Sequence, residues 1–452
     1  MLKPPAGRFQ RYFPRLFENE LIRRVLVNSG YLFSATGISA ALSMIQGILA
    51  ARLLGVTDFG ILGTVTQFTS LVNKFASFRM SELVIKYVGA YTETGDDQRA
   101  AAVFKAAGLT EIGTSFFAFA LVWLLAPLGA RYFAKDVSLA SWFVIYGLIV
   151  LANLMAESST GLLQIFNRYR TIAAVTIGQS ALTLLLIVLA YVNQGGVLSV
   201  ILAYMGGKVS GALSLTGLAL WEASRRWGSG WWRAPLGSLR AQARELVRFA
   251  VSTNLSATIN LVNKDSELLW VSALRNPTEA GYYKLALALA NMAQLPVSPL
   301  PQATYPELSR EVARSNWGNV RYILRQGTRL AFLYTAAAAL FLLLFGRPLI
   351  RYLYRPEFLP AFPALLILLA GFLVANAFYW NRTALLALGH PDYPVKVNLL
   401  AAGLKIAGIL TLVPLFGYLG SAALLAGFYF LSISLNVRKT YSVLEEHDPA
   451  PR

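Results

Sequence analysis

Apolar runs of about twenty residues alternate with short polar corners along almost the whole chain. They lie near residues 30–51, 57–78, 105–126, 140–164, 171–192, 197–220, 248–272, 280–300, 328–346, 361–386, 394–413 and 417–437. Each run is long enough to cross a bilayer's hydrocarbon core, so the pattern predicts about twelve membrane-spanning helices. The ladder reads as if written twice. "ARLLGVTDFGILGTVTQF" (Ala51 to Phe68) and "VSALRNPTEAGYYKLALAL" (Val271 to Leu289) each end an apolar run with a polar corner, an acidic residue (Asp58 or Glu279) and a glycine (Gly60 or Gly281). The expected fold is therefore an all-α polytopic membrane protein: two six-helix bundles, 30–222 and 245–441, related by an internal repeat. An N-terminal interfacial segment (1–29), a basic linker (223–244) and a tail (442–452) complete it. Repeat-built transporters rock one half against the other, which makes transport the leading expectation.

A polar residue inside a span is costly, so each one asks for a reason. Run seven, "VSTNLSATINLVNKDSELLW" (Val251 to Trp270), carries Asn254, Thr258, Asn260, Asn263, Lys264, Asp265 and Glu267. At about 100° per residue, Asn260, Lys264 and Glu267 share one stripe. Shifted by about 221 positions, that stripe falls on Ser39, Ser43 and Gln46 of run one. The same shift pairs Ser70, Ser77 and Ser81 with Asn291, Ser298 and Gln302, extending stripes that hold Gln67 and Lys74, and Lys284 and Gln294. Matching polar faces on runs one, two, seven and eight predict a shared wet cavity. The bland alternative is that Lys264 and Glu267, three apart, only neutralise each other.

Lys74, Lys208, Lys284, Arg382 and Lys405 bring cations to five further spans, and each alone could snorkel to an interface. Glu157 shares a stripe with Asn153, Thr160 and Gln164 and reads equally as gate or cap; Glu111 reads as a satisfied structural carboxylate. Arg79, Glu82 and Lys86 read first as a solvated helix end. Cations outnumber anions within the spans, so the cavity should favour an anionic substrate over organic cations.

Composition changes this picture little. The chain is 56% hydrophobic and only 14% charged, too apolar for a soluble protein. The net charge of +18 could suggest nucleic acid, but its placement argues for membrane topology. Lys and Arg collect in alternate loops, among them Arg23, Arg24, Arg168, Arg170, Arg225, Arg226, Arg240, Arg244, Arg310, Arg314, Arg438 and Lys439. The opposite loops hold only Arg52, Arg131, Lys135, Arg275, Arg347, Arg351 and Arg355. By the positive-inside rule both termini are cytoplasmic, and the basic loops touch anionic headgroups. There is no cysteine and no Walker-type phosphate loop, and His390 and His447 have no partners at metal-ligand spacing. No cofactor is expected. The outer loops are too short for a glycan polymerase or ligase, so the chain is not expected to be an enzyme.

"GILAARLLGVTDFGILGTVTQF" (Gly47 to Phe68), "GLLQIFNRYR" (Gly161 to Arg170), Asp265 to Ala290 with "YPELSR" (Tyr305 to Arg310), and Leu385 to Ala423 together resemble a known family. It is the polysaccharide-transporter or O-antigen (Wzx-like) flippases, within the multidrug/oligosaccharidyl-lipid/polysaccharide exporter superfamily. The likeness spans about residues 25 to 440. Gly55, Gly60 and Gly281 fit the family's turn positions and Asp265 its acidic residue in helix seven; Ser77, Phe78 and Arg79 depart from a common Gly-Leu.

The resemblance implies a flippase that turns an undecaprenyl-diphosphate-linked oligosaccharide from the inner to the outer leaflet of a bacterial or archaeal cytoplasmic membrane, by alternating access. It implies membrane lipids, a polysaccharide polymerase and a chain-length regulator as partners, and no nucleic acid. Lys264, Lys74 and Lys284 are the expected diphosphate ligands, with Arg79 and Lys208 as further candidates. Gln46, Asn260, Asn291 and Gln294 are expected to meet sugars, and Asp265, Glu267 and Glu157 to couple or gate. The rival readings are a lipid II flippase and a cation-coupled multidrug antiporter.

Overall fold

A glycine near each end of the chain lets one long helix become two spans. The computed structural model of the protein describes residues 20–78, 80–251 and 266–447, with side chains from residue 31 onward. Helix α1 (Glu20–Ala76) turns at Gly55 (φ 74°, ψ −178°), a conformation nearly closed to residues with a Cβ. The last helix, α15 (Asp392–His447), turns likewise at Gly417 (φ 59°, ψ −138°). Between them lie α2 (Met80–Leu83), a π turn (Val84–Val88), α3 (Gly89–Glu93), α4 (Asp97–Gly129), α5 (Ala140–Ala152), α6 (Ala156–Ile165), α7 (Tyr169–Val192) and α8 (Val197–Trp227). The second half runs through α9 (Glu267–Leu274), α10 (Pro277–Gln294), α11 (Leu300–Ala313), α12 (Trp317–Leu349), α13 (Ala361–Ala377) and α14 (Asn381–Ala387) to α15. Among the described residues there is no strand.

The internal repeat is visible in detail. Helices α4 and α12 are both 33 residues long, and each starts at a side-chain cap (Asp96 to Arg99 N, 3.0 Å; Asn316 to Asn319 N, 3.4 Å). Each has a proline in its last turn (Pro127, Pro348), then a π turn (Ala130–Ala134, Ile350–Tyr354) and a 3₁₀ turn (Val137–Leu139, Pro356–Phe358). Left-handed residues recur at equivalent loop positions, Gly95 with Ser315 and Asn167 with Gly389.

Among the described residues, eight helices or helix pairs are long and apolar enough to cross a membrane. Their outward faces carry large apolar side chains, such as Phe116, Phe117, Trp123 and Leu124 on α4 and Leu340, Phe341, Leu344 and Phe345 on α12, all half or more exposed. A surface like this belongs in lipid, where helices satisfy their own backbone groups.

The halves meet at one end, the end of the Gly55 and Asn276 corners. Thr57 Oγ1 lies 2.8 Å from Thr278 Oγ1, two residues 221 positions apart, so repeat-equivalent side chains touch each other across a pseudo-twofold axis. The contact is reciprocal. A Cβ on Gly60 would run into the backbone of Pro277, and one on Gly281 into the backbone of Val56. The hydrogen bonds Ser272 Oγ to Phe133 O (2.5 Å) and Lys135 Nζ to Ala273 O (2.5 Å), and the edge-to-face pair Phe59–Phe358, belong to the same seam.

The expected linker is docked onto the first half. Lys105 Nζ donates to Ala234 O (3.2 Å), Trp231 Nε1 to Ser224 Oγ (3.2 Å), Tyr91 to Gln242 and Tyr87 to Glu245 (2.7 Å). Phe104, Phe166, Trp227 and Trp231 pack as one aromatic cluster beneath it. Residues 228–243, and Glu245 just beyond them, thus pack on the first half.

Candidate functional site

Among the described residues, polar cavities interrupt the apolar packing on the axis and inside each half. The axial cavity, about 300 Å³, lies between α1 (Gly63, Thr66, Gln67), α9 (Glu267, Leu268) and α10 (Lys284, Leu287, Asn291). Lys284 reaches across the seam to Phe59, donating to its carbonyl at 3.2 Å with Nζ 3.9 Å from the ring centroid. An ammonium has three donors, so one such bond leaves others for a ligand. The repeat mate of Lys284 is Gly63, and a Cβ there would meet the lysine's own methylenes. The two equivalent positions face one another and have room for a single long side chain. One half supplies the cation; the other gives way.

Glu267 also lines this cavity, but its carboxylate is ion-paired with Lys405 of α15, both side chains almost fully buried. Such a pair ties α9 to α15, because removing either partner leaves a buried charge alone.

The first-half cavity, about 370 Å³, is walled by Asn73, Ser77, Ser81, Glu111, Asn153, Glu157, Thr160 and Gln164, among others. It exists because α5 stops and α6 restarts around Asn153–Met155. Glu111 caps that restart, accepting from Glu157 N (2.8 Å), Ser158 N (3.0 Å) and Ser158 Oγ (2.7 Å). Glu157 accepts from Ser81 Oγ at 3.1 Å. The second-half cavity, about 560 Å³, occupies the equivalent place, where α13 stops and α14 restarts. Gln294, Ser298 and Gln302 stand where Asn73, Ser77 and Ser81 stand in the first, and Asn376 and Thr383 flank the break as Asn153 and Thr160 do in the first. Here Arg382 is the charged wall residue, and among the described residues no carboxylate lines it.

The structure thus brings Lys284, Asn291 and Glu267 together on the axis, and distributes Gln294 and Glu157 to the two half-cavities. Others sit elsewhere. Gln46 is buried with its amide donating to Ser180 O (2.8 Å), fastening α1 to α7. Lys208 donates to Tyr146 Oη (3.2 Å), binding α8 to α5. Lys74 is exposed in the last turn of α1. Arg79, Asn260, Lys264 and Asp265 lie outside the described residues. Sequence reasoning missed the Glu267–Lys405 pair, whose partners are 138 positions apart, and the amide-lined wall of the second half. The repeat shift itself held the signal for Gly63 facing Lys284. Among the described residues no cluster of histidine, cysteine or carboxylate side chains could hold a metal ion.

Comparison with known proteins places this geometry. Residues 25–312 match the family described as polysaccharide biosynthesis protein. The inner membrane protein YghQ of Escherichia coli (strain K12) is 22% identical over 351 residues, which cover 76% of this chain and 97% of the relative. An inward-facing multidrug resistance MATE family transporter of the MOP superfamily superposes with a TM-score of 0.70 at 12% identity, over 92% of this chain and 96% of its own. Lipid II flippase MurJ in an inward closed conformation gives 0.69 at 14% identity, over 92% and 89%. A MATE family transporter in an outward-facing conformation gives 0.60 at 12% identity, over 96% and 98%. The architecture is that of the MOP superfamily transporters.

Proposed function

The chain belongs to the polysaccharide biosynthesis protein family, and on that premise we propose that it is a flippase for an oligosaccharide linked to undecaprenyl diphosphate. It carries this lipid from the inner to the outer leaflet of the cytoplasmic membrane, as a transporter and not as an enzyme. The observation that supports this most is Lys284, a cation held on the axis between two halves that close against each other at one end. A diphosphate and its sugars cannot cross hydrocarbon unaided, and a wet groove with a fixed positive charge lowers that barrier.

With both termini cytoplasmic, the corner seam is the outer gate, and the axial cavity is reached from the inner leaflet. Lys284, with Lys264 and Lys74, attracts the diphosphate while Asn291 and Asn260 meet sugars. The units 30–222 and 245–441 then rock, opening the corner seam. Binding energy shifts that equilibrium only through unequal affinity for the two states. Asp265 or Glu157 provides the inequality for a coupling ion; Glu267 does so only by trading Lys405. A polysaccharide polymerase and a chain-length regulator would receive the product.

A cation antiporter is the second reading, favoured by the two carboxylates of the first-half cavity. Reconstitution separates them. In liposomes a fluorescent undecaprenyl-diphosphate oligosaccharide should change leaflet while an ethidium-type cation does not, and Lys284→Glu should lower lipid transport at equal expression. Dye movement alone would favour the antiporter.

A further inference from the structure

We infer that the second-half cavity is a carbohydrate site that reads the sugar end of the cargo, an inference that rests on the flippase reading above. Among the described residues, six carboxamides line it: Gln294, Gln302, Asn376, Asn381, Asn398 and Asn436. Each carboxamide presents donors and an acceptor in one plane, and so can meet hydroxyls that both give and accept hydrogen bonds. Tyr305, Tyr379, Phe428 and Tyr429 add ring faces, on which the C–H faces of a sugar can rest. Those rings are held in place, Tyr379 Oη by Thr304 Oγ1 (3.0 Å) and Tyr429 by edge-to-face contact with Phe372 and Phe428.

One atom points to a missing hydroxyl partner. Asn436 is 3% exposed; its Nδ2 donates to Asn381 Oδ1 (3.0 Å), and Asn381 Nδ2 donates in turn to Phe378 O (2.8 Å). This relay leaves Asn436 Oδ1 as a buried acceptor on the cavity wall with no donor among the described residues. Native structures rarely leave such an atom unpaired, and a hydroxyl in the cavity is a donor it could meet after a small turn of the Asn436 side chain. Arg382, exposed at the wall, suits an anionic oxygen on the same ligand. The equivalent first-half cavity, with Glu111 and Glu157, repels such a group. The cavity's volume of about 560 Å³ lies within the usual range of small-molecule sites.

The test replaces Tyr305 with the photocrosslinker p-benzoylphenylalanine, and in a second protein Ile85, its repeat equivalent on the first-half cavity. Each is reconstituted with undecaprenyl diphosphate carrying a radiolabelled trisaccharide. The expected result is sugar-bearing adduct at position 305 about tenfold above that at position 85, competed by free trisaccharide. Asn398→Ala and Gln302→Ala, at half-buried and exposed wall positions, should each lower that adduct several-fold. Equal or greater adduct at position 85, or none at either while the lipid still flips, overturns the inference and leaves the flippase reading standing. Dye transport with neither lipid flipping nor adduct overturns both.

Discussion

The two half-cavities share a backbone and differ in charge. Each forms where a span breaks and restarts, at Asn153–Met155 in the first half and Phe378–Trp380 in the second. In the first, the break is stitched by a carboxylate, Glu111, with Glu157 beside it; in the second, amides and rings do the lining and Arg382 supplies the charge. Equivalent positions on the axis diverge in the same manner, Gly63 against Lys284. A duplicated scaffold therefore keeps the positions of its breaks and corners, while its wall residues separate into an acidic half and an amide-rich half. The breaks and corners are symmetric; the chemistry is not.

The symmetric part should be the least tolerant. Gly281→Leu puts a side chain into the backbone of Val56, so the corner seam cannot close. Lipid transport in vesicles should fall about a hundredfold with the protein still inserted, and Gly60→Leu should do the same; retention by either would break the equivalence of the two corners. The Glu267–Lys405 pair has no counterpart charge in the first half and should show next in stability. Lys405→Met should cost about 3–5 kcal/mol in detergent unfolding, and adding Glu267→Met should recover most of it. Single and double variants of equal stability would mean that the pair does not tie α9 to α15.

Smaller effects sharpen the contrast between the cavities. Glu111→Ala removes an acceptor of three hydrogen bonds and should cost about 1–3 kcal/mol, whereas Asn376→Ala, which loses one bond of 3.3 Å to Ala293 O, should cost about 1 kcal/mol. Comparable melting shifts would deny the first-half carboxylate its special structural place. Glu157→Gln should change stability by no more than about 0.5 kcal/mol yet alter the response of transport to an imposed proton gradient. An unaltered response removes Glu157 from coupling.

Much of this was legible from the chain. The apolar ladder, the two corners and their shift reappear as spans and as the touching pair Thr57 and Thr278. Polar stripes were a weaker guide. A stripe gives a direction around one helix axis and says nothing of what stands opposite. Gln46 and Asn291 sit on stripes of the same kind, but Gln46 faces the backbone of α7 and Asn291 faces the axial cavity. Lys208 reads as a deep cation and is engaged with Tyr146. Glu267 shares a stripe with Asn260 and Lys264, which shows nothing of Lys405, its ion-pair partner 138 positions on. Pairings across elements depend on packing that no local pattern records.

Alternating access through the corner seam requires it to open and close during each cycle. The chain has no cysteine, so Thr57→Cys with Thr278→Cys, at side chains now 2.8 Å apart, introduces one crosslinkable pair at the axis. Oxidising that double variant in vesicles loaded with the fluorescent lipid should stop leaflet exchange, and reductant should restore it. Exchange at the unmodified rate with the crosslink fully formed would contradict alternating access through this seam.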